Sequence, residues 1–244
     1  MSVSVESAAS IAARSEMVPG FADFGIRAFT TTREVGSFGT QTDEPVREVM
    51  GRWSALRAEL RNGAEHERFA TATQVHGATV LLHEPAWFGW LRGEAADGHA
   101  TLDRGTGIAV TIADCVPVFI AHPSGAIAVL HSGWRGTAAR IVECGIALFA
   151  SRGLKPRDLR VHTGPAICGN CYEVSADVYA QLTGADPGVP TPVDLRALIA
   201  DHAYAAGVRD ITSSSSCTRC DNDRFYSYRA GDDGRQLAVM IADA

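Results

Sequence analysis

The sequence predicts an α+β domain with more than one sheet. Three continuous apolar runs of strand length, "GIAVTIA" (107–113), "VPVFIAH" (116–122) and "GAIAVLHS" (125–132), read as strands buried on both faces. A separate stretch, "DEPVREVMGRWSALRAEL" (43–60), carries apolar residues at helical spacing instead. Strands and helices are mixed without strict βαβ alternation, which makes the pattern α+β.

Taken in order, residues 1–18 read as a poorly ordered leader and 19–244 as one domain. "GIRAFTTT" (25–32) is the first expected strand. The helix over 43–60 has Asp43 as cap and Pro45 in its first turn, with Val46, Val49, Trp53, Leu56 and Leu60 on one stripe. "RFATATQV" and "ATVLLHE" then form two strands around the turn His76–Gly77. After the three buried runs, a helix is expected over about 137–152 and a strand over "LRVHTGP" (159–165). Helices at 175–183 and 194–206 and a closing strand, "RQLAVMIAD" (235–243), complete the chain. No internal repeat interrupts it, and the only low-complexity stretch is "SSSS" at 213–216.

Composition narrows the function classes. The 244 residues are 46% hydrophobic and 20% charged, which places the chain among globular proteins rather than disordered ones. A net charge of −6 argues against a broad nucleic-acid footprint. The first residues have neither a basic lead-in nor a long apolar core, so no secretory signal is read. No run approaches the roughly 18 apolar residues of a membrane span. The expected compartment is the cytoplasm, where six cysteines would stay reduced and available as ligands or nucleophiles.

Three residues at strand ends carry metal-binding chemistry: His76 in "TQVHG", Cys115 in "IADCVP" and His131 in "AVLHSG". Imidazole and thiolate suit zinc, and three protein donors with a vacant fourth position is the pattern of a catalytic zinc site. Asp114 and Gln74 stand close enough in sequence to hydrogen-bond such ligands. The spacings match no local zinc pattern, so the residues alone leave three structural side chains as the competing reading. The stretch "VLHSGWRGTAARIV" (129–142) adds an unusual turn, since a chain that only needs to turn would use Gly, Asn, Asp or Ser. Arg135 offers a planar cationic fork for phosphate or carboxylate, Trp134 a flat face for a ring, and the following helix N-terminus backbone donors. Surface charge and core packing are the alternatives there.

Cys168-Gly-Asn-Cys171 and Cys217-Thr-Arg-Cys220 form a CxxC…CxxC pattern. A structural four-cysteine zinc site requires the two loops to meet; otherwise they are reduced or packed thiols. Cys144, inside a helix, reads as core.

Together, "TQVHG", "ADCVPV", "HSGWRG", "GPAICGNCYEV", "DLRALI", "CTRC" and "FYSYR" resemble, in this order, the laccase-domain family of the YfiH type, over roughly residues 20–243. The resemblance implies a layered α/β/β/α fold with mixed sheets. It also implies that His76, Cys115 and His131 are the metal ligands and catalytic centre. The implied activity is phosphorolysis of adenosine, inosine, guanosine or methylthioadenosine to free base and ribose 1-phosphate, with deamination of adenosine beside it. Its partners are therefore a purine nucleoside and phosphate, contacted by Arg33, Arg52, Gln74, Trp134 and Arg135. Zn²⁺ is the expected metal and Cu²⁺ the alternative. An older description of the family as polyphenol oxidases and a role in editing cell-wall precursors are the competing functions. Copper clusters favour many histidines, and the eight here include no HxH pair. No P-loop or dinucleotide fingerprint implies a nucleotide cofactor.

Two departures from the family pattern stand out. "TTREVGSFGT" is shortened and Gly51–Arg52 replaces an Asn–Arg pair. His99 in "ADGHAT" replaces an apolar residue and reads as solvent-facing, with a spare metal ligand as the alternative.

Overall fold

The structure, a computed structural model, describes residues 10–61 and 68–243. Its first half runs β1 (Ser15–Met17), β2 (Ile26–Thr31), α1 (Val46–Arg61), β3 (Arg68–Ala72), β4 (Val80–His83), β5 (Gly89–Gly93) and β6 (Gly98–Thr101). The middle holds β7 (Gly107–Ile112), β8 (Val116–Ala121), β9 (Ile127–Ser132), α2 (Trp134–Ala138), α3 (Ile141–Ser151) and β10 (Arg160–Thr163). The remainder is β11 (Glu173–Val174), α4 (Ala176–Thr183), β12 (Thr191–Pro192), α5 (Leu195–Ala205), β13 (Asp210–Ser213) and β14 (Gln236–Ala242).

Two six-stranded sheets result, ordered β1-β2-β14-β7-β3-β5 and β13-β10-β8-β9-β6-β4, with β11 and β12 as a separate pair. Both are mixed. The first is antiparallel from β1 to β7 and parallel from β7 to β5. The second is antiparallel through β10, β8, β9 and β6, with β13 and β4 added parallel at its edges.

The period-two alternation of strand side chains sorts the apolar runs into three cores. Phe119 and Ala121 of β8 and Ile127 and Val129 of β9 face Ile108, Val110 and Met240 of the other sheet. Their neighbours Val118, Ile120, Ala128 and Leu130 point the opposite way, onto Ile146, Phe149, Ile199 and Ala203 of α3 and α5. On the far side, Phe29, Ala109, Leu237 and Val239 meet Val49, Trp53, Leu56 and Leu60 of α1. A strand packed on both faces needs no polar alternation, which is why these runs are apolar throughout. The layers are α/β/β/α, as the resemblance implies.

Several local expectations are corrected. Helix α1 begins at Val46, so Asp43 is not its cap, and Val46 is exposed while the other four stripe residues are buried. The helix expected over 137–152 starts earlier and is two helices, because Arg140 takes a left-handed φ of 58° that ends α2 before α3 begins. Residues 15–17 of the expected leader pair with β2; residues 1–9 lie outside the described chain. His99 is fully buried rather than solvent-facing, its Nδ1 2.9 Å from His83 Nε2, and burial and the His83 charge push its pKa down to about 3. Cys144 is exposed, not core.

The turn His76–Gly77 does not close a hairpin. It carries the chain from β3 in one sheet to β4 in the other. Asp114–Cys115 makes the same crossing from β7 to β8.

Candidate active site

Both crossings use backbone that favours glycine but lacks it. His76 has φ 60° and Asp114 φ 79°, left-handed values that cost a non-glycine residue free energy. The outcome is that His76 and Cys115 sit on the seam between the sheets, where β9 delivers His131 at its end. Their donor atoms lie within 4.8 Å of one another, and the two imidazole rings meet edge to face with centroids 4.9 Å apart. The structure brings the three expected ligands together.

Asp97, which the sequence reading passed over in favour of its neighbour His99, holds this arrangement. Its buried carboxylate accepts from the backbone N–H of Val75 (3.2 Å), His76 (2.9 Å) and Gly77 (2.7 Å). It also lies 2.9 Å from His131 Nδ1, while its carbonyl accepts from the His131 N–H at 2.7 Å. An ionised carboxylate only accepts, so Nδ1 carries the proton and Nε2 is left for a metal. Burial alone would raise the Asp97 pKa; the bonds to His131 and the turn amides outweigh it and hold the carboxyl below the usual range. The available signal was an acidic residue inside a run of small residues, "AADGHA".

Cys115 and His131 perturb each other. Burial opposes charge on both, yet the nearby imidazoles bring the thiol down to about 6, and the thiolate with Asp97 brings His131 up to about 9. A thiolate is the ligand form of cysteine. Gly133 leaves it room: a Cβ there would stand 2.8 Å from the Cys115 sulfur. Two imidazoles and a thiolate on one open cluster fit a zinc ion, with a side left for substrate.

That open side faces a cavity of about 710 Å³, within the ~300–1,000 Å³ range of small-molecule sites. Its walls include aromatic rings (Trp90, Trp134, Tyr172 and Tyr228) and cations (Arg92, Arg135, Arg229 and Arg235). The Arg135 guanidinium lies 4.3 Å from the Trp134 ring, and among the described residues no protein acceptor is bonded to it. Burial and the nearby thiolate push the Tyr172 hydroxyl up to about 12, so it remains a neutral donor at the wall.

The other expected site residues are placed differently. Gln74 lines the cavity but commits its amide to Thr111: Oε1 accepts from the Thr111 N–H and hydroxyl, and Nε2 donates to its carbonyl, each at 2.8 Å. It thereby extends the β3–β7 pairing by side chain. Asp114 bonds Thr218 Oγ1 (2.6 Å) and the Arg229 N–H (2.7 Å), not a metal ligand. Arg33 and Arg52 are outside the cavity walls. Arg33 donates to the Phe225 carbonyl and pairs with Asp232; Arg52 donates to the Ser37 carbonyl and pairs with Glu44. Short polar loops are held by these arginines. The two CxxC loops do meet, with all four sulfurs within 4.8 Å of one another.

Named and solved proteins are similar to this chain. A purine nucleoside phosphorylase of Deinococcus radiodurans is 36% identical over 211 residues, 82% of this chain and 79% of that protein. "Adenosine deaminase RL5", from an unknown prokaryotic organism, is 35% identical over 56% of this chain and 57% of its own length. The crystal structure of YlmD from Geobacillus stearothermophilus superposes with a TM-score of 0.82 at 27% identity, covering 93% of this chain and 94% of that one. The model of the family described as multi-copper polyphenol oxidoreductase laccase matches residues 31–243, and the chain belongs to that family, whose relatives include the YfiH and YlmD proteins.

Proposed function

We propose that the protein is a zinc-dependent purine nucleoside phosphorylase. It would convert adenosine, inosine, guanosine or methylthioadenosine and phosphate to the free base and ribose 1-phosphate. The observation that carries this reading is the juxtaposition of the three-donor cluster with Arg135, a guanidinium without a protein acceptor among the described residues, in one aromatic-walled cavity. Phosphorylase-named relatives support it.

In phosphorolysis, a phosphate oxygen bonds to C1′ of the ribose as the C1′–N9 bond breaks, and the electron pair leaves with the base, which takes up a proton. Phosphate would be held by the planar fork of Arg135, whose guanidinium lies over the Trp134 ring. Purine and ribose would lie against the ring walls, with the protonated Tyr172 hydroxyl as a donor. A zinc ion held by His76, Cys115 and His131 would supply Lewis acidity at the cavity floor. Asp97 keeps the imidazole of His131 in the tautomer such an ion requires. Helix α2 is a single short turn, so phosphate binding is assigned to the side chain rather than to a helix dipole.

Deamination of adenosine to inosine in the same cavity is a second reading, favoured by the deaminase-named relative. Multicopper oxidation is disfavoured by the donors themselves: among the described residues only two clusters could hold a metal, and one is all cysteine.

The test is chromatography of adenosine incubated with zinc-loaded protein, with and without phosphate, beside Cys115→Ala. Adenine and ribose 1-phosphate appearing only with phosphate, and not in the variant, is the expected result. Inosine formed without phosphate would identify the deaminase. A folded, zinc-loaded protein that turns over no nucleoside would overturn the proposal and favour the cell-wall editing role.

A further inference from the structure

We infer that Cys168, Cys171, Cys217 and Cys220 form a second metal centre, a closed four-thiolate zinc site that fastens the loop before β11 to the loop after β13. The inference is independent of the reaction proposed above. The four sulfurs lie within 4.8 Å of one another. A tetrahedral zinc with Zn–S near 2.3 Å sets its sulfurs about 3.8 Å apart, so a small contraction suffices. Cys171 Sγ and Cys220 Sγ are 3.5 Å apart, well beyond the ~2.05 Å of a disulfide, and all six cysteines are free.

Backbone geometry supplies a second, separate argument. Cys217 Sγ accepts the N–H of Cys168 at 3.2 Å and of Cys220 at 3.5 Å. Amide donors aimed at a sulfur favour the thiolate, and they orient it as outer-shell groups orient a ligand. Each CxxC is a turn: the Cys171 N–H returns to the Cys168 carbonyl at 3.0 Å, and the Asp221 N–H to that of Cys217 at 2.8 Å. The parallel bridge between Ala166 and Cys217, with the Thr218 N–H on the Ala166 carbonyl at 3.2 Å, sets the turns side by side. Four sulfurs held together without a bond between them match a four-coordinate soft cation.

Its location gives it a task. None of the four cysteines lines the cavity, but Tyr172 follows Cys171 directly and does. Thr218, inside the second CxxC, donates to Asp114, the neighbour of Cys115. With all four positions filled by protein, the site has no vacancy for substrate and acts as a fastener of the cavity wall.

The test uses the full chain with zinc, and cobalt as a spectroscopic replacement. Wild type is expected to bind two zinc ions and Cys115→Ala one. The cobalt form of Cys115→Ala should keep the intense visible bands of a tetrahedral tetrathiolate, and Cys217→Ser should lose them. A single zinc that disappears in Cys115→Ala, or iron in place of the second zinc, would overturn the proposal. A wild-type measurement guards against a variant that fails to fold. Maleimide labelling followed by mass spectrometry should modify exposed Cys144 at once, and Cys220, also exposed, at least about tenfold more slowly until a chelator is added. Cys220 reacting as fast as Cys144, or a Cys171–Cys220 disulfide in protein purified without reductant, would contradict it.

Discussion

The two clusters of this molecule are made from overlapping chemistry and built in opposite ways. His76, Cys115 and His131 come from a seam between two sheets, through left-handed backbone at His76 and at Asp114 beside Cys115. Cys168, Cys171, Cys217 and Cys220 come from two unstrained turns joined by a backbone bridge. The first has three donors and a cavity on its open side; the second has four donors and none of them in that cavity. Backbone strain and an open position are costs that a purely structural metal site need not carry. Their presence at one cluster and absence from the other is the contrast on which the proposed reacting site and the proposed fastening rest.

Substitutions can sharpen or break that contrast. The largest loss of activity is expected from His131→Ala, which removes a ligand and leaves Asp97 buried without its imidazole partner. With a Lewis-acid contribution of roughly 4 kcal/mol, kcat/KM should fall about a thousandfold, while cobalt bands from the cysteine cluster persist. Asp97→Asn keeps all three ligands but weakens their orientation. Steady-state kinetics and zinc titration should both show roughly 10- to 100-fold losses. Arg135→Ala should act on one substrate only, raising KM for phosphate roughly tenfold with a smaller change for nucleoside, as a lost charged hydrogen bond predicts. Equal effects on both substrates would remove Arg135 from the phosphate site.

Cys217→Ser should affect activity least and stability most. A loss of roughly 2–3 kcal/mol would lower Tm by about 4–12 °C in a chain of this size, with kcat/KM changed less than about threefold at a temperature where the variant is folded. Differential scanning calorimetry beside kinetics separates the two. A Cys217→Ser protein with wild-type Tm and lost turnover would invert the assignment of the clusters.

The sequence was most readable where burial leaves a compositional mark. The strands at 107–113, 116–122 and 125–132 announce themselves because both faces pack, and β14 does so for the same reason. Short edge strands such as β5 and β13 depend on pairing that no local pattern records. Pairing also decides that the His76 turn joins two sheets instead of closing a hairpin. The candidate metal donors could be named because imidazole and thiolate have few other reasons to end strands beside glycine. Asp97 could not, since its value lies in four partners brought from two other segments. Arg33 and Arg52 are matched to a motif as substrate contacts, and in the structure they hold loops outside the cavity walls.

The most direct test of the central claim is anomalous diffraction at the zinc edge from crystals grown with zinc. The account predicts a peak bounded by His76, Cys115 and His131 with one side open to the cavity. His131 turned away from Cys115, with no peak between them, would contradict it.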